Sequence, residues 1–393
     1  MQFVYNDLHI LIFISFVVFS SPHIAKITKL PVLAVEIILG AIAGALGLIT
    51  KTYMFEIAAS IGFCYLMFIA GLEVSLREFF KLSKSELKRI FVFYLILYSL
   101  SLLTAKLTHQ SFIIAVIFPA MSVGLISILY KNYEVTPKWL SFTMVFAALG
   151  EVISIVLITI LNSSSHSNDS WQIFFSALSI FFFLGIFVVI YYIFNALFWW
   201  FPWLKEILMP DYDKAELKIR LSLALWMIAV AIMLYFDFEI ALGAFLAGMF
   251  ISSFFGYKKD LEHKLSSLGH PFLIPIFFVY VGLSLDFSLI GMDLIILACE
   301  IVATMLTFRL IASFAFYKEY KTRCFLLALG CCMPLTLLIA IATLGKKLEL
   351  IGNNLYLALV LASLIEGITF MWLIPKISLL IETREKKKSQ IDL

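Results

Sequence analysis

The chain has 393 residues, of which 63% are hydrophobic and 14% are charged, and its formal net charge is +3. Soluble domains are about half apolar and about a quarter charged. This composition therefore excludes an ordinary soluble protein and predicts one that crosses a lipid bilayer several times. Continuous apolar runs of about 20 residues favour α-helices, because the strands of a membrane barrel alternate polar and apolar side chains.

Thirteen apolar segments, numbered here in chain order, are long enough to cross a bilayer as helices. Lys and Arg alternate between the connections: 24 lie in those that we assign to the cytoplasm, 4 lie in those outside, and Arg309 lies within a segment. By the positive-inside rule, this pattern predicts an external N-terminus and a cytoplasmic C-terminus in the cell's inner membrane. The predicted segments are 8–25, 31–50, 53–75, 89–106, 111–130, 138–161, 171–201, 217–236, 239–256, 268–286, 288–317, 322–344 and 352–376.

Four of these segments are echoed seven segments later, at offsets of 203 to 215 residues. Because seven crossings reverse the direction through the membrane, we interpret the echo as an inverted repeat, which is common in secondary transporters. It predicts a six-helix unit over 1–165, a linker helix and loop over 166–215, a second six-helix unit over 216–380, and a basic tail over 381–393. The matched stretches are EIILGAIAG with EIALGAFLAG, FIAGLEVSL with VYVGLSLDF, FPAMSVGLI with MPLTLLIAI, and AALGEVISI with ASLIEGITF.

Segments 5 and 12 each contain an internal proline followed by a hydroxyl residue: Pro119 with Ser122, and Pro334 with Thr336. Proline lacks a backbone donor and clashes with a preceding carbonyl, so the helix can unwind there. Interrupted helices at matching repeat positions mark the ion site of many transporters, where freed carbonyls and hydroxyls bind the cation. The structural alternative is a simple kink that neighbouring helices repair.

Glu151 in segment 6 and Arg309 in segment 11 are the ionisable residues that we expect deepest in the membrane. A charge at that depth is costly, and function is the default hypothesis for it. A carboxylate is a hard oxygen ligand for a monovalent cation and also binds a proton, which is the minimal chemistry of an exchanger. Arg309 is expected to neutralise Glu151 or another buried carboxylate, and a purely structural Glu–Arg pair is the alternative.

Other acidic residues are secondary candidates, because they lie nearer segment ends or at a less certain depth: Glu36, Glu73, Glu239, Glu300 and Glu366. Glu366 matches the segment 6 glutamate in the repeat, and its alternatives are a structural role and a second titrating group. No HExxH motif, intramembrane aspartate pair or nucleotide-binding loop is found, so we predict no enzymatic activity, no cofactor and no nucleic acid partner.

Five stretches carry a family resemblance that covers essentially the whole chain: LPVLAVEIILGAIAG, LMFIAGLEVSLREF, PAMSVGLISILYKNYE, EIALGAFLAGMFISS and HPFLIPIFFVYVGLSLDFS. Together they resemble the monovalent cation/proton antiporter-2 family. The resemblance implies an all-α membrane fold of 13 helices, with a dimerisation domain, a mobile core domain and discontinuous helices 5 and 12. It also implies a homodimer.

The same resemblance implies that the ion-binding acid lies in segment 6, as the second residue of an Asp-Asp, Asn-Asp or Gln-Asp pair. Here the pair is Gly150 and Glu151, so a single, longer acid stands at this point. A basic residue of segment 11, often Lys in the family, aligns with Arg309. The family's Ser-Pro-Arg-Gly-Glu-Phe stretch in segment 12 is MPLTLL here, without either charge.

We therefore predict an antiporter that exchanges Na⁺ or K⁺ for H⁺ by alternating access at Glu151, with Ser122 and Thr336 completing the cation site. One carboxylate and a fixed-charge arginine predict electroneutral exchange. Na⁺ is favoured, because K⁺-exporting members usually append a nucleotide-binding domain and this sequence shows none. The alternatives are a Na⁺-coupled symporter of an organic anion on a related fold, and an inactive or sensor relative of the antiporters.

Overall fold

The computed structural model describes residues 2–74, 82–108, 113–123, 125–126, 129, 137–165, 170–208, 216–236, 238, 240–255, 259–285 and 291–391. Over these ranges its regular secondary structure is helical. Eight of the described helical stretches are long and apolar enough to cross a membrane, and three further apolar stretches are 10–17 residues long. The all-helical membrane architecture is thus observed, whereas the number of 13 crossings stays a prediction.

The helices are numbered in chain order. The first half contains α1 (Gln2–Thr28), α2 (Val32–Ala45), α3 (Tyr53–Leu72), α4 (Lys84–Leu107), α5 (Ile113–Ile117), α6 (Lys138–Ser165), α7 (Ser170–Trp200) and α8 (Pro202–Leu208). The second half contains α9 (Leu217–Tyr235), α10 (Ile240–Phe255), α11 (Lys259–Leu268), α12 (Ile274–Leu283), α13 (Met292–Ser313), α14 (Tyr317–Tyr320), α15 (Cys324–Gly330), α16 (Leu335–Lys347) and α17 (Asn353–Ile391). A π-helical turn, Gly269–Leu273, joins α11 to α12.

The chain divides into two compact units that each contain residues from both predicted repeats. Unit 1 comprises Met1–Phe80 and Ile155–Leu285, and unit 2 comprises Lys81–Ser154 and Asp286–Leu393. One boundary between the units, that between Ser154 and Ile155, falls within α6. The compact units therefore cut across the predicted repeat units, because helices pack against partners from the other repeat.

In unit 1, two helix crossings are held together by glycines that lie against backbone carbonyls. The largest contacts join α3 to α10 and α2 to α12. The glycine–carbonyl contacts are Gly40 with Val279, Gly248 with Phe68, Gly71 with Phe245, and Gly282 with Ile37. The four contacts form two equivalent pairs. If α2 and α10 change places and α3 and α12 change places, the contact of Gly40 becomes that of Gly248, and the contact of Gly71 becomes that of Gly282. In this register Gly40 corresponds to Gly248, the second glycine of EIALGAFLAG, whereas the sequence match aligns it with the first.

Unit 2 contains α4, α5, the part of α6 up to Ser154, and α13 to α17, and two of its apolar segments are interrupted. Helix α5 ends at Ile117, and residues 118–123, which include Pro119, are not helical. Helix α15 ends at Gly330, and α16 begins at Leu335, directly after Pro334. At both places the backbone leaves the helical hydrogen-bond ladder inside buried protein, which exposes polar groups to nearby side chains.

Helix α4 begins at a capping box that explains why the chain turns into a helix there. The Ser83 hydroxyl accepts a hydrogen bond from the Glu86 amide, and the Glu86 carboxylate accepts one from the Ser83 amide. Two amides that have no partner within the helix are satisfied in this way. The cap fixes the start of the helix that carries Tyr94, a residue that lies beside the candidate site.

Candidate functional site: a buried carboxylate beside two non-helical stretches

Glu151 lies fully buried on α6, with its carboxylate directed at the non-helical stretch that follows α5. The Val123 amide donates to Glu151 Oε2 over 3.0 Å. The Ser122 hydroxyl donates to Glu151 Oε1 over 3.2 Å. Each carboxylate oxygen therefore has one donor among the described residues, and the two donors come from adjacent residues.

Thr336 joins this cluster from the first turn of α16. Its hydroxyl lies 2.7 Å from that of Ser122, and both side chains are buried. A hydroxyl has one hydrogen to donate, so when Ser122 donates to Glu151, Thr336 donates to Ser122. The structure thus brings Glu151, Ser122 and Thr336 into one hydrogen-bonded chain, with the two interrupted segments meeting at it.

Arg309 on α13 and Glu366 on α17 form an ion pair, with 3.1 Å between Arg309 Nη1 and Glu366 Oε1, and both are fully buried. The second terminal nitrogen, Nη2, donates to the Ala120 carbonyl oxygen over 2.6 Å. The partner of the arginine is therefore Glu366, and not Glu151. The guanidinium also supplies the donor for a carbonyl that the interruption of segment 5 leaves outside a helix.

The charges in this region are unevenly balanced. Among the described residues of unit 2, the fully buried charged side chains are Glu151, Arg309 and Glu366. Arg309 and Glu366 neutralise each other, so Glu151 is the one group in this set whose charge has no fixed counterion. A buried charge without a counterion is costly, which a proton or a cation bound at Glu151 relieves.

The remaining acidic candidates lie elsewhere. Glu36 is buried in unit 1, where its carboxylate accepts from the Ser21 hydroxyl over 3.3 Å. Glu73, also in unit 1, follows the last residue of α3 and is half-buried. Glu300 is exposed on α13 of unit 2. Glu239 lies outside the described residues.

Three further groups at the site have no strong signal in the sequence. Two are backbone groups, the Val123 amide and the Ala120 carbonyl. The third is Tyr94 on α4, whose buried hydroxyl donates to the Phe146 carbonyl, one helical turn before Gly150. The signal for Tyr94 was indirect, namely a glycine directly before the buried glutamate, which leaves room for a side chain from another helix.

Chemically, the cluster offers a carboxylate and two hydroxyl oxygens, which are the hard oxygen ligands that alkali cations prefer. Its two protein donors, an amide and a hydroxyl, keep the ionised carboxylate bonded in the absence of a cation. A proton on Glu151 also removes its charge. The arrangement can therefore bind either a proton or a monovalent cation at one carboxylate.

Comparison with known proteins assigns a family to the chain. Residues 12–375 match the transmembrane sodium/hydrogen exchanger family. The chain is 28% identical to a putative Na⁺/H⁺ antiporter, YjbQ, of Bacillus subtilis, over 91% of this chain and 61% of that protein. It is 24% identical to a Na⁺/H⁺ antiporter of Enterococcus hirae, over 87% of this chain and 90% of that protein. The chain therefore spans less than two thirds of the length of the Bacillus subtilis relative.

The fold is also found in a solved structure. The sodium proton antiporter MjNhaP1 from Methanocaldococcus jannaschii at pH 8 superposes with a TM-score of 0.67. The match covers 95% of this chain and 96% of that chain at 14% sequence identity, so it shows the fold. The resemblance to a cation/proton antiporter family is thereby confirmed, and because the family match extends over most of its length, the chain belongs to the transmembrane sodium/hydrogen exchanger family.

Proposed function

We propose that this protein is a secondary antiporter that exchanges Na⁺ for H⁺ across the cytoplasmic membrane, with Glu151 holding the proton and the cation in turn. The observation that carries the proposal is the geometry of Glu151, which is fully buried, is bonded to Ser122 and Val123, and has no fixed counterion among the described residues. A carboxylate in this position is neutral only when it holds a proton or a cation. Movement of the site across the membrane is cheapest in these two neutral states.

We infer a one-for-one stoichiometry, and the charge balance supports it. Arg309 and Glu366 neutralise each other in a buried ion pair, so neither changes charge when the ion at Glu151 is replaced. One carboxylate then releases one proton for each Na⁺ it binds, and the exchange moves no net charge. The pair also argues against a symporter of organic anions, because the buried arginine is already bonded to Glu366 and Ala120.

The interrupted segments complete the proposed cation site. We infer that segments 5 and 12 are discontinuous membrane helices that meet beside Glu151, so that Ser122 and Thr336 add hydroxyl ligands to the carboxylate. The reciprocal glycine crossings in unit 1 support the inverted repeat. The 13 crossings, the external N-terminus and the homodimer belong to the same proposal.

The cation is proposed to be Na⁺ before K⁺. The relatives reported above carry the name Na⁺/H⁺ antiporter, whereas K⁺ remains the second candidate. Glutamate is one methylene longer than the aspartate of the related families, and the longer side chain changes the space that is left for the cation. Selectivity is therefore part of the test.

The test is exchange in proteoliposomes that contain a pH-sensitive dye, measured with Na⁺, Li⁺, K⁺ and Rb⁺ at several pH values. We expect cation-driven proton movement that is largest with Na⁺ and unaffected by an imposed membrane potential. Glu151→Gln is expected to abolish the signal, whereas Glu300→Gln, a matched change of an exposed glutamate in the same unit, is expected to retain it.

Exchange that survives in Glu151→Gln contradicts the assigned role of this residue. Exchange that responds to the imposed potential contradicts the one-for-one stoichiometry. A wild-type protein without proton movement for any of the four cations favours the inactive or sensor alternative.

A further inference from the structure

Gly150, directly before Glu151, lies against the tip of a side chain from another helix. A Cβ atom at this position would lie 2.6 Å from the Tyr94 hydroxyl oxygen and 3.3 Å from Met121 Sδ. Such a distance to the hydroxyl is too short for a real contact. The position thus has no room for a side chain because Tyr94 already occupies the space beside it.

The Tyr94 hydroxyl bridges the two backbone segments that hold the Glu151 carboxylate. It donates to the Phe146 carbonyl, in the α6 turn that ends at Gly150. It also lies 3.9 Å from the sulfur of Met121, the residue before Ser122. One side of the tyrosine tip therefore fixes the helix that carries the glutamate, and the other side contacts the stretch that donates to it.

The ring of Tyr94 is itself rigidly held. It packs edge-on against Phe93 with 5.5 Å between ring centroids, and Phe93 packs edge-on against Phe146 at 5.2 Å. Tyr94 is buried, so water does not replace its hydroxyl in bonding Phe146. A rigid ring with a single polar atom at its tip defines the position of that atom closely.

We propose that Tyr94 is a positioning residue for cation binding. Its hydroxyl supplies a polar group beside Gly150, which has no side chain, and it keeps the turn that carries Glu151 at a fixed distance from Ser122. The proposal rests on the function proposed above. Tyr94 does not coordinate the cation in this arrangement. It acts on affinity through the geometry of Glu151, and Gly150 is required because it leaves room for the hydroxyl.

The experiment is a double-mutant cycle of Tyr94→Phe, Gly150→Ala and both together, read as half-saturating Na⁺ and maximal rate in proteoliposomes. We expect Tyr94→Phe to raise half-saturating Na⁺ by about three- to tenfold, with the maximal rate within about twofold. Gly150→Ala should raise it by at least about tenfold, because its methyl group overlaps the hydroxyl. The double variant should return to the value of Tyr94→Phe alone, because Phe lacks the overlapping oxygen.

The matched control is Tyr98→Phe, one turn further along α4, since Tyr98 is half-buried and its hydroxyl, which lies in the interior, has no hydrogen-bond partner among the described residues. It should leave half-saturating Na⁺ unchanged. A second readout without transport is the rise in thermal unfolding temperature on adding Na⁺ to the purified protein. This rise should shrink in Tyr94→Phe and in Gly150→Ala, and recover in the double variant relative to Gly150→Ala.

The positioning role is overturned when Gly150→Ala is equally impaired with Phe at position 94, or when Tyr94→Phe leaves half-saturating Na⁺ unchanged. In either case, an active wild type and an inactive Glu151→Gln leave the proposed function standing. A wild type that neither exchanges Na⁺ nor is stabilised by it overturns both proposals.

Discussion

Removing the counterion of Arg309 tests how the protein balances its buried charges. In Glu366→Gln, the arginine keeps its bond to the Ala120 carbonyl but loses its charged partner. Breaking one side of a buried ion pair typically costs about 3–5 kcal/mol, because the other charge is left uncompensated. We expect the lower end, about 3 kcal/mol, since the glutamine can still accept a hydrogen bond.

The unpaired arginine should also weaken cation binding at Glu151. Ala120, bonded to the guanidinium, is three residues from Val123, bonded to the carboxylate. Three residues of chain span at most about 10 Å, and we take roughly this value for the separation of the two charges. At an effective dielectric constant of about 20, a unit positive charge at this distance disfavours a bound cation by about 1.7 kcal/mol. This corresponds to an increase of about 20-fold in half-saturating Na⁺.

The assay is Na⁺-dependent exchange at alkaline pH, where protons compete least, together with thermal unfolding of the purified protein. Glu300→Gln, an exposed glutamate in the same unit, is the control and should change neither quantity. The decisive variant is the double change Arg309→Gln and Glu366→Gln, which restores a neutral pair. The half-saturating Na⁺ concentration should then return to within a few-fold of wild type. A double variant whose half-saturating Na⁺ concentration is as high as that of Glu366→Gln refutes the electrostatic reasoning.

Three further outcomes are expected. Ser122→Ala should raise half-saturating Na⁺ by about tenfold and Thr336→Val by less, because Ser122 donates directly to the carboxylate whereas Thr336 bonds to the Ser122 hydroxyl. Equal effects of the two substitutions in the same exchange assay would contradict this order. Half-saturating Na⁺ should rise by up to about tenfold for each unit by which the pH is lowered, because proton and cation compete for one carboxylate, and a pH-independent value would exclude competition. Gly71→Ala should lower the thermal unfolding temperature by several degrees, because its methyl group overlaps the Phe245 carbonyl, whereas Gly185→Ala, in open space on α7, should not lower it.

Much of the fold and part of the site were open to prediction, because their signals are local. Long apolar runs predict membrane helices from composition alone, and the described helices follow them. A carboxylate in such a run is too costly to be accidental, which pointed to Glu151. Prolines at matching positions pointed to Ser122 and Thr336, and the three residues lie together in the structure. Residue type and approximate depth were sufficient for these inferences.

The compact units were not predictable in the same way. The sequence repeats divide the chain into consecutive halves, whereas the compact units each combine pieces of both halves. The reason is that a helix buries its surface against whichever partner allows close approach, and here glycines permit that approach between α2 and α12 and between α3 and α10. Such pairings depend on contacts that are distant along the chain, and apolar sequence alone does not distinguish among them.

The amino-acid sequence by itself determined that the chain is a helical membrane protein, and it predicted Glu151 as the functional buried acid and interruptions in segments 5 and 12. Only the tertiary structure decided how the charges are paired: Arg309 with Glu366, and Glu151 with a backbone amide and a serine. Backbone groups carry no residue-type signal, and the Tyr94 hydroxyl and the Phe146 carbonyl that it bonds are 52 positions apart. Hydrogen bonding is short-ranged and directional, so a partner is defined only when packing brings two groups to within about 3 Å.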